Sequence, residues 1–218
     1  MNQLLFLGLW IISLSALSKT LIISDSHGVG AFGEELVRLL EHEKEEVSLY
    51  AFGGTRPVDW VQGNNLTWGY WEHHTGRLNR RGDNRATPKL ELLIQEHNPQ
   101  RVLIVQGTNM VWRKLTPSDL SDIQFLILSV QKAGAECIWV GPPDLNVPTQ
   151  ENEEGVKAVH NMIGEETQRL GCSYIKSWTF TDYPQNQGDG VHYDAIPRVG
   201  KKLAQDWASG VYSRLKKP

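Results

Sequence analysis

The chain has 218 residues, of which 40% are hydrophobic and 22% charged, and its formal net charge is -3. That is enough chain for one domain with a real core, and so weak a negative balance excludes a field that gathers nucleic acid. Arg77, Arg80, Arg81 and Arg85 form a local basic cluster that reads as a solvated loop.

The opening stretch MNQLLFLGLWIISLSALS carries no charge, holds an apolar run from Leu4 to Leu17, and ends with Ala16 and Ser18 at the spacing of a signal-peptidase site. The expected organisation is an export signal over 1–18, cut after Ser18, followed by a single domain over 19–218 in a periplasmic or secreted protein. No Lys or Arg precedes the apolar run, so an uncleaved anchor stays open as the other reading, although the run is short for a full span.

Beyond the leader, short apolar runs alternate with amphipathic stretches. The runs are TLIIS (20–24), VSLYAF (47–52), RVLIVQ (101–106), ECIWVG (136–141) and CSYIK (172–176); helices are expected near 30–46, 88–98, 118–133, 152–170 and 195–214. Near-continuous apolar strands are what a parallel sheet covered on both faces requires, so the alternation predicts a three-layer α/β/α domain. Open parallel sheets bind ligands beyond the carboxyl ends of their strands. The loops at that rim are SDSHGVG, GGTRP, GTNM, GPPDLNVP and, before the last helix, GDGVHYD. Cys137 and Cys172 each fall near the start of a predicted strand, where a disulfide and two buried thiols are equally open.

The first of these loops poses a choice: Ser26 as a nucleophile, or Asp25 and His27 as metal ligands. The D-x-H pattern resembles the opening of the calcineurin-like metallophosphoesterases, which add a Gly-Asp after the second strand, a Gly-Asn-His followed by an acid, and further histidines near the C-terminus. Here the second run ends in AFGGTRP without a carboxylate, Asn109 is followed by Met110, and His73 and His74 have no acids at ligand spacing. That set is too small for a two-cation centre. No metal and no other cofactor is expected.

A serine hydroxyl needs a base to take its proton and a carboxylate to orient that base. DGVH supplies both, as His192 and Asp189. Acyl transfer also needs donors where negative charge develops, and three candidates share the rim: the backbone N–H of Ser26, the backbone N–H of Gly54, and the side-chain amide of Asn109. Gly54 is preferred to Gly53 because it directly precedes TRP and the turn out of the strand.

Together, Ser26 in SDSHG, Gly54 in FGGTRP, Asn109 in GTN, and His192 with Asp189 in DGVH resemble the SGNH (GDSL-like) hydrolase family, whose markers are Ser, Gly, Asn and His in that order. The resemblance spans almost the whole mature chain. It implies a flavodoxin-like, five-stranded parallel sheet in the order 2-1-3-4-5 and hydrolysis of an ester without metal. Ser24 stands where the family usually has Gly, and His27 where it usually has Leu, a variant similar to members that act on acetylated sugars and cell-wall glycans. His27 is read either as a polar contact near the acyl group or as a ring satisfied by local backbone.

Between Pro57 and Pro88 the chain reads as a long inserted loop holding Trp60, Trp68, Tyr70 and Trp71. Flat rings beside Asn, His and Arg suit a sugar, so Trp68 and Trp71 are candidate substrate contacts, with a private mini-core as the other reading. Trp112, just after GTNM, is a further lining candidate. The expected function is a serine esterase that removes an O-acetyl group from a carbohydrate or cell-wall glycan through an acyl-enzyme. Its partner is that acetylated carbohydrate or another small ester, with no nucleic acid and no stable membrane insertion once the leader is cut. A lipase, a thioesterase or an O-acetyltransferase would share the same loops, and a metal-dependent phosphoesterase and a non-catalytic glycan-binding module are the rivals from other classes.

Overall fold

Strand β1 (Lys19–Ser24) is apolar on both faces: Leu21 and Ile23 point one way, Ile22 the other, and all are buried. Such a strand belongs in the middle of a sheet, and it lies there. The computed structural model describes residues 18–63, 65–146 and 149–216, so the expected export signal lies outside the described residues apart from Ser18.

The remaining strands are β2 (Glu46–Phe52), β3 (Leu66–His74), β4 (Leu78–Ala86), β5 (Arg101–Val105), β6 (Glu136–Val140) and β7 (Ser173–Ile175). The helices are α1 (Ser26–Val29), α2 (Ala31–His42), α3 (Pro57–Gln62), α4 (Leu90–His97), α5 (Pro117–Lys132), α6 (Gln150–Leu170) and α7 (Gly200–Leu215). They build one sheet in the order β4-β3-β2-β1-β5-β6-β7. The pairs β2–β1, β1–β5, β5–β6 and β6–β7 are parallel, whereas β2–β3 and β3–β4 are antiparallel.

Alternation along the parallel strands divides the core in two. Leu21, Ile23, Phe52, Val102, Ile104 and Trp139 pack beneath α3 to α6, against residues such as Trp60, Leu93, Ile127 and Ile163. On the opposite face Ile22, Leu49, Leu103 and Val140 meet Phe32, Leu36 and Leu40 of α2 and Trp207 and Val211 of α7. The three-layer α/β/α domain follows directly from this two-sided burial.

The sheet differs from the expected five-stranded, all-parallel one: it is mixed and has seven strands. The difference lies between Pro57 and Pro88, which holds α3 and the β3–β4 hairpin where the sequence reads as a loop. β4 (LNRRGDNRA) has no buried residue, so no apolar alternation announces it. Its arginines hold the hairpin together instead. Glu72 of β3 is buried, and Arg80 and Arg85 approach its two carboxylate oxygens at 2.5 and 2.6 Å, while Arg81 pairs with Glu34 at 2.9 Å. The basic cluster therefore belongs to a paired edge strand, whose charge also discourages further strand addition. Two helix limits also move. α2 stops at His42 because Lys44 turns left-handed (φ 66°) and Glu46 opens β2, and α7 begins at Gly200 because Tyr193–Ala195 forms a separate 3₁₀ turn.

Cys137 in β6 and Cys172 just before β7 are joined by a disulfide, with their Cα atoms 4.9 Å apart. The bridge spans 35 residues, for which restriction of the unfolded chain contributes roughly 2–4 kcal/mol. Replacing both cysteines with Ala should lower the urea-unfolding free energy by about that amount, and the native chain should show no reactive thiol until reduced. Equal stability before and after reduction would show that the pair is not bridged.

Candidate active site

β1 ends at Ser24, and the chain turns at once into α1. Asp25 makes that turn rigid: its N–H donates to the Val105 carbonyl at 3.2 Å, and its Oδ1 accepts the His27 N–H at 3.1 Å as the helix cap. Ser26 is the first residue of α1, so its own N–H has no intrahelical acceptor. The half-buried side chain stands at the carboxyl rim of the central strand.

The partner arrives from far along the chain. Ser26 Oγ and His192 Nε2 are 2.9 Å apart, and His192 Nδ1 is 2.7 Å from Asp189 Oδ2. A carboxylate only accepts, so Nδ1 carries the proton and Nε2 is free to accept the serine hydroxyl. Asp189 Oδ1 meanwhile accepts the N–H groups of Val191 at 2.9 Å and His192 at 2.7 Å, a local ring that explains the three-residue spacing. Burial pushes the Asp189 carboxyl up, but the bonds from the His192 ring and the two N–H groups outweigh it and hold the group below the usual range. Two residues on, Asp194 Oδ2 accepts the Ala31 N–H at 2.9 Å, tying the histidine segment to the start of α2. Neither Asp194 nor this tie is signalled by the sequence beyond an acid following HY.

Ser26 and His192 open onto a cleft of about 500 Å³ that Gly54, Asn109 and Trp68 also line. Gly53 and Gly54 both line the cleft, but the Gly53 N–H is taken by the Gly69 carbonyl at 2.9 Å, while Gly54 holds a φ of 74° that favours glycine. Asn109 Nδ2 donates one hydrogen to the Thr55 carbonyl at 3.0 Å, leaving the other for a ligand oxygen. Thr55 is fixed in turn, donating to Phe52 O at 3.0 Å and accepting from Gln106 Nε2 at 3.2 Å. Ser26, Gly54, Asn109, Asp189 and His192 are thus brought together, and Trp68, 89% exposed, stands at the mouth.

Three expected substrate contacts lie elsewhere. Strand alternation sends Trp71 to the opposite face of β3, where it is buried beside α2 and donates Nε1–H to Asn79 Oδ1 at 2.8 Å. Trp112 follows a 3₁₀ turn whose Met110 and Val111 enter the core, and it does not line the cleft. His27 is buried behind Ser26, its ring edge-on to Trp207 at 5.0 Å and 5.5 Å from the His192 ring. Among the described residues no three His, Cys, Asp or Glu side chains form a group able to hold a metal ion. Asn65, Leu66 and Thr67, which read in the sequence as a glycosylation sequon and not as part of a site, also line the cleft. They reach it only because the hairpin exists.

The class of protein that this geometry defines is an α/β/α domain with a Ser–His–Asp chain at the rim of its central strand. Solved structures share the fold at low sequence identity. One is the acetyl xylan esterase AlAXEase, 16% identical, with a TM-score of 0.57 over 88% of this chain and 98% of its own. A carbohydrate acetylesterase from Sinorhizobium meliloti is 15% identical, with a TM-score of 0.59 over 90% of this chain and 99% of that one. TesA is also 15% identical, with a TM-score of 0.62 over 91% and 98%. No protein-family model matches the sequence, and no curated protein matches it.

Two buried titratable groups flank Ser26 in sequence, and they act in opposite senses. Burial, reinforced by His192, lowers the His27 pKa from 6.5 to about 3; between those values the unfolded chain binds more protons, so its contribution to stability is full above about 6.5 and is lost as the pH falls. Burial, only partly countered by the His27 N–H, pushes the Asp25 carboxyl up to about 7, so its contribution is present in acid and lost as the pH rises toward that value. His27→Leu should therefore make the urea midpoint fall less steeply than in the native chain between about pH 6.5 and pH 4. A slope unchanged by the substitution would show that the ring is not held neutral.

Proposed function

We propose that this chain is a serine esterase of the SGNH kind that removes O-acetyl groups from a carbohydrate or cell-wall glycan. The observation that carries the reading is the continuous chain from Ser26 Oγ through both nitrogens of His192 to Asp189, at 2.9 and 2.7 Å. A serine oriented this way is suited to attack a carbonyl. The acetyl preference is supported by the modest cleft, which sets Asn65, Thr67 and Asn109 beside the exposed Trp68, and by the acetylesterases that share the fold.

In the first half-reaction Ser26 Oγ attacks the ester carbonyl while His192 Nε2 takes its proton, and Asp189 holds the imidazole and stabilises its charged form. The oxyanion is held by the Ser26 N–H, the Gly54 N–H and the free amide hydrogen of Asn109. Collapse breaks the bond to the sugar oxygen, which leaves with the proton from His192, and Ser26 remains acetylated. In the second half His192 deprotonates water, which attacks the acetyl carbonyl; acetate departs and the proton returns to Ser26.

Ser26→Ala should lower acetate release from acetylated xylan by roughly 10⁴- to 10⁶-fold, and full activity in that variant would refute the assignment. Asn109→Ala should lower kcat by about 10²- to 10³-fold with a smaller change in KM. Stopped assays of released acetate against a panel of acetylated glycans test both and identify the preferred polymer.

A further inference from the structure

A second concave surface shares the rim of the sheet but no lining residue with the reaction cleft. It lies between α6, the segment Asp144–Asn146 that follows β6, and the 3₁₀ turn Ser177–Thr179 that follows β7, and it encloses about 590 Å³. Ligand sites commonly fall in this range.

Its chemistry is mixed in a particular way. Trp178 is 47% exposed and offers one flat apolar face. Glu153, Lys157, His160 and Asn161 recur at three- to four-residue intervals, so a single face of α6 forms the opposite wall. Gln185 adds another amide. Lys157 faces two carboxylates, Glu153 and Asp144, so an anion is disfavoured, and a wholly apolar ligand would strand the amides and charges. A neutral, polyhydroxylated ring satisfies both the indole and its polar surroundings.

His160 fixes the wall behind Trp178. The side chain is 8% exposed, its Nδ1 is 2.7 Å from the Tyr174 hydroxyl, and its ring lies 5.6 Å from that of Trp178. Burial holds it neutral, with its pKa lowered to about 4. Nε2 has no hydrogen-bond partner among the described residues. Nε2 is closed off from solvent, so the ring acts through the wall, its contacts with Tyr174 and Trp178 fixing how the indole is presented.

We propose that this groove is a saccharide-binding site, separate from the reaction cleft, in which a neutral sugar ring stacks on Trp178 and its hydroxyls bond the polar side chains of α6. The site does not depend on Ser26 chemistry, but its wall is wired to the catalytic segment. The Asn146 N–H donates to the Gly190 carbonyl at 3.0 Å, the Tyr183 N–H donates to Asp144 Oδ2 at 2.8 Å, and the Tyr183 hydroxyl accepts the Gly190 N–H at 3.0 Å. Gly190, at a φ of 82°, permits the approach, since a Cβ there would lie 2.5 Å from the Asn146 carbonyl oxygen. A polymer held in the groove is held beside the loop that carries Asp189 and His192.

Binding is tested in the full chain carrying Ser26→Ala, so that turnover plays no part. Xylohexaose, cellohexaose and the hexamer of N-acetylglucosamine are titrated by calorimetry and by tryptophan fluorescence. At least one should bind saturably; adding Trp178→Ala should weaken it about tenfold, and Asn161→Ala, at an exposed position, should weaken it without moving Tm, whereas Trp68→Ala should leave it in place. Absence of saturable binding by all three sugars, unchanged affinity in the Trp178 and Asn161 variants, or loss through Trp68→Ala alone would overturn the proposal. None of these results bears on whether Ser26 is a nucleophile, which the acetate assay decides separately.

Discussion

Everything at the rim depends on the central position of β1. Its parallel register with β2 on one side and β5 on the other, Ser24 facing Ala51 and Val105, makes the strands end at one level. The residues just beyond those ends, Ser26, Gly54 and Asn109, therefore emerge together. The Asp25 N–H bond to Val105 O then locks the turn against the neighbouring strand. A slip of one residue would turn every side chain of β1 to the other face, exchange the two halves of the core, and carry Ser26 away from the histidine.

The histidine itself is positioned by different means. It lies 166 residues from Ser26 and is borne by a segment with little regular structure, so local hydrogen bonds must replace a strand. Asp189 closes a ring onto the backbone of Val191 and His192, Tyr183 and Asp144 support that ring from behind, and Asp194 anchors its far side to α2. Asp189 thus has a structural duty independent of any proton transfer. Loss of its side chain would disturb the loop as well as the imidazole.

What the sequence revealed follows from where its information lies. The apolar runs of the parallel strands reflect burial on two faces, and the marker residues fall at fixed places after them, so the layers and the members of the Ser–His–Asp chain are legible. The hairpin was not, because β4 is stabilised by arginines meeting one buried glutamate, and Glu72 looks like any surface acid until its partners are placed beside it. Misreading that region as a loop also misassigned Trp71: only strand alternation separates it from Trp68, which does face the cleft. His27 was legible as unusual but not as buried, since its surroundings come from Trp207 in the last helix.

The bond between Cys137 and Cys172 lies where β6 and β7 begin, at the end of the sheet opposite the serine. Redox conditions therefore act on the scaffold at a distance from the reacting atoms. An oxidising environment keeps this brace closed without touching the groups around Ser26, so one share of the fold's endurance is set apart from the reacting atoms.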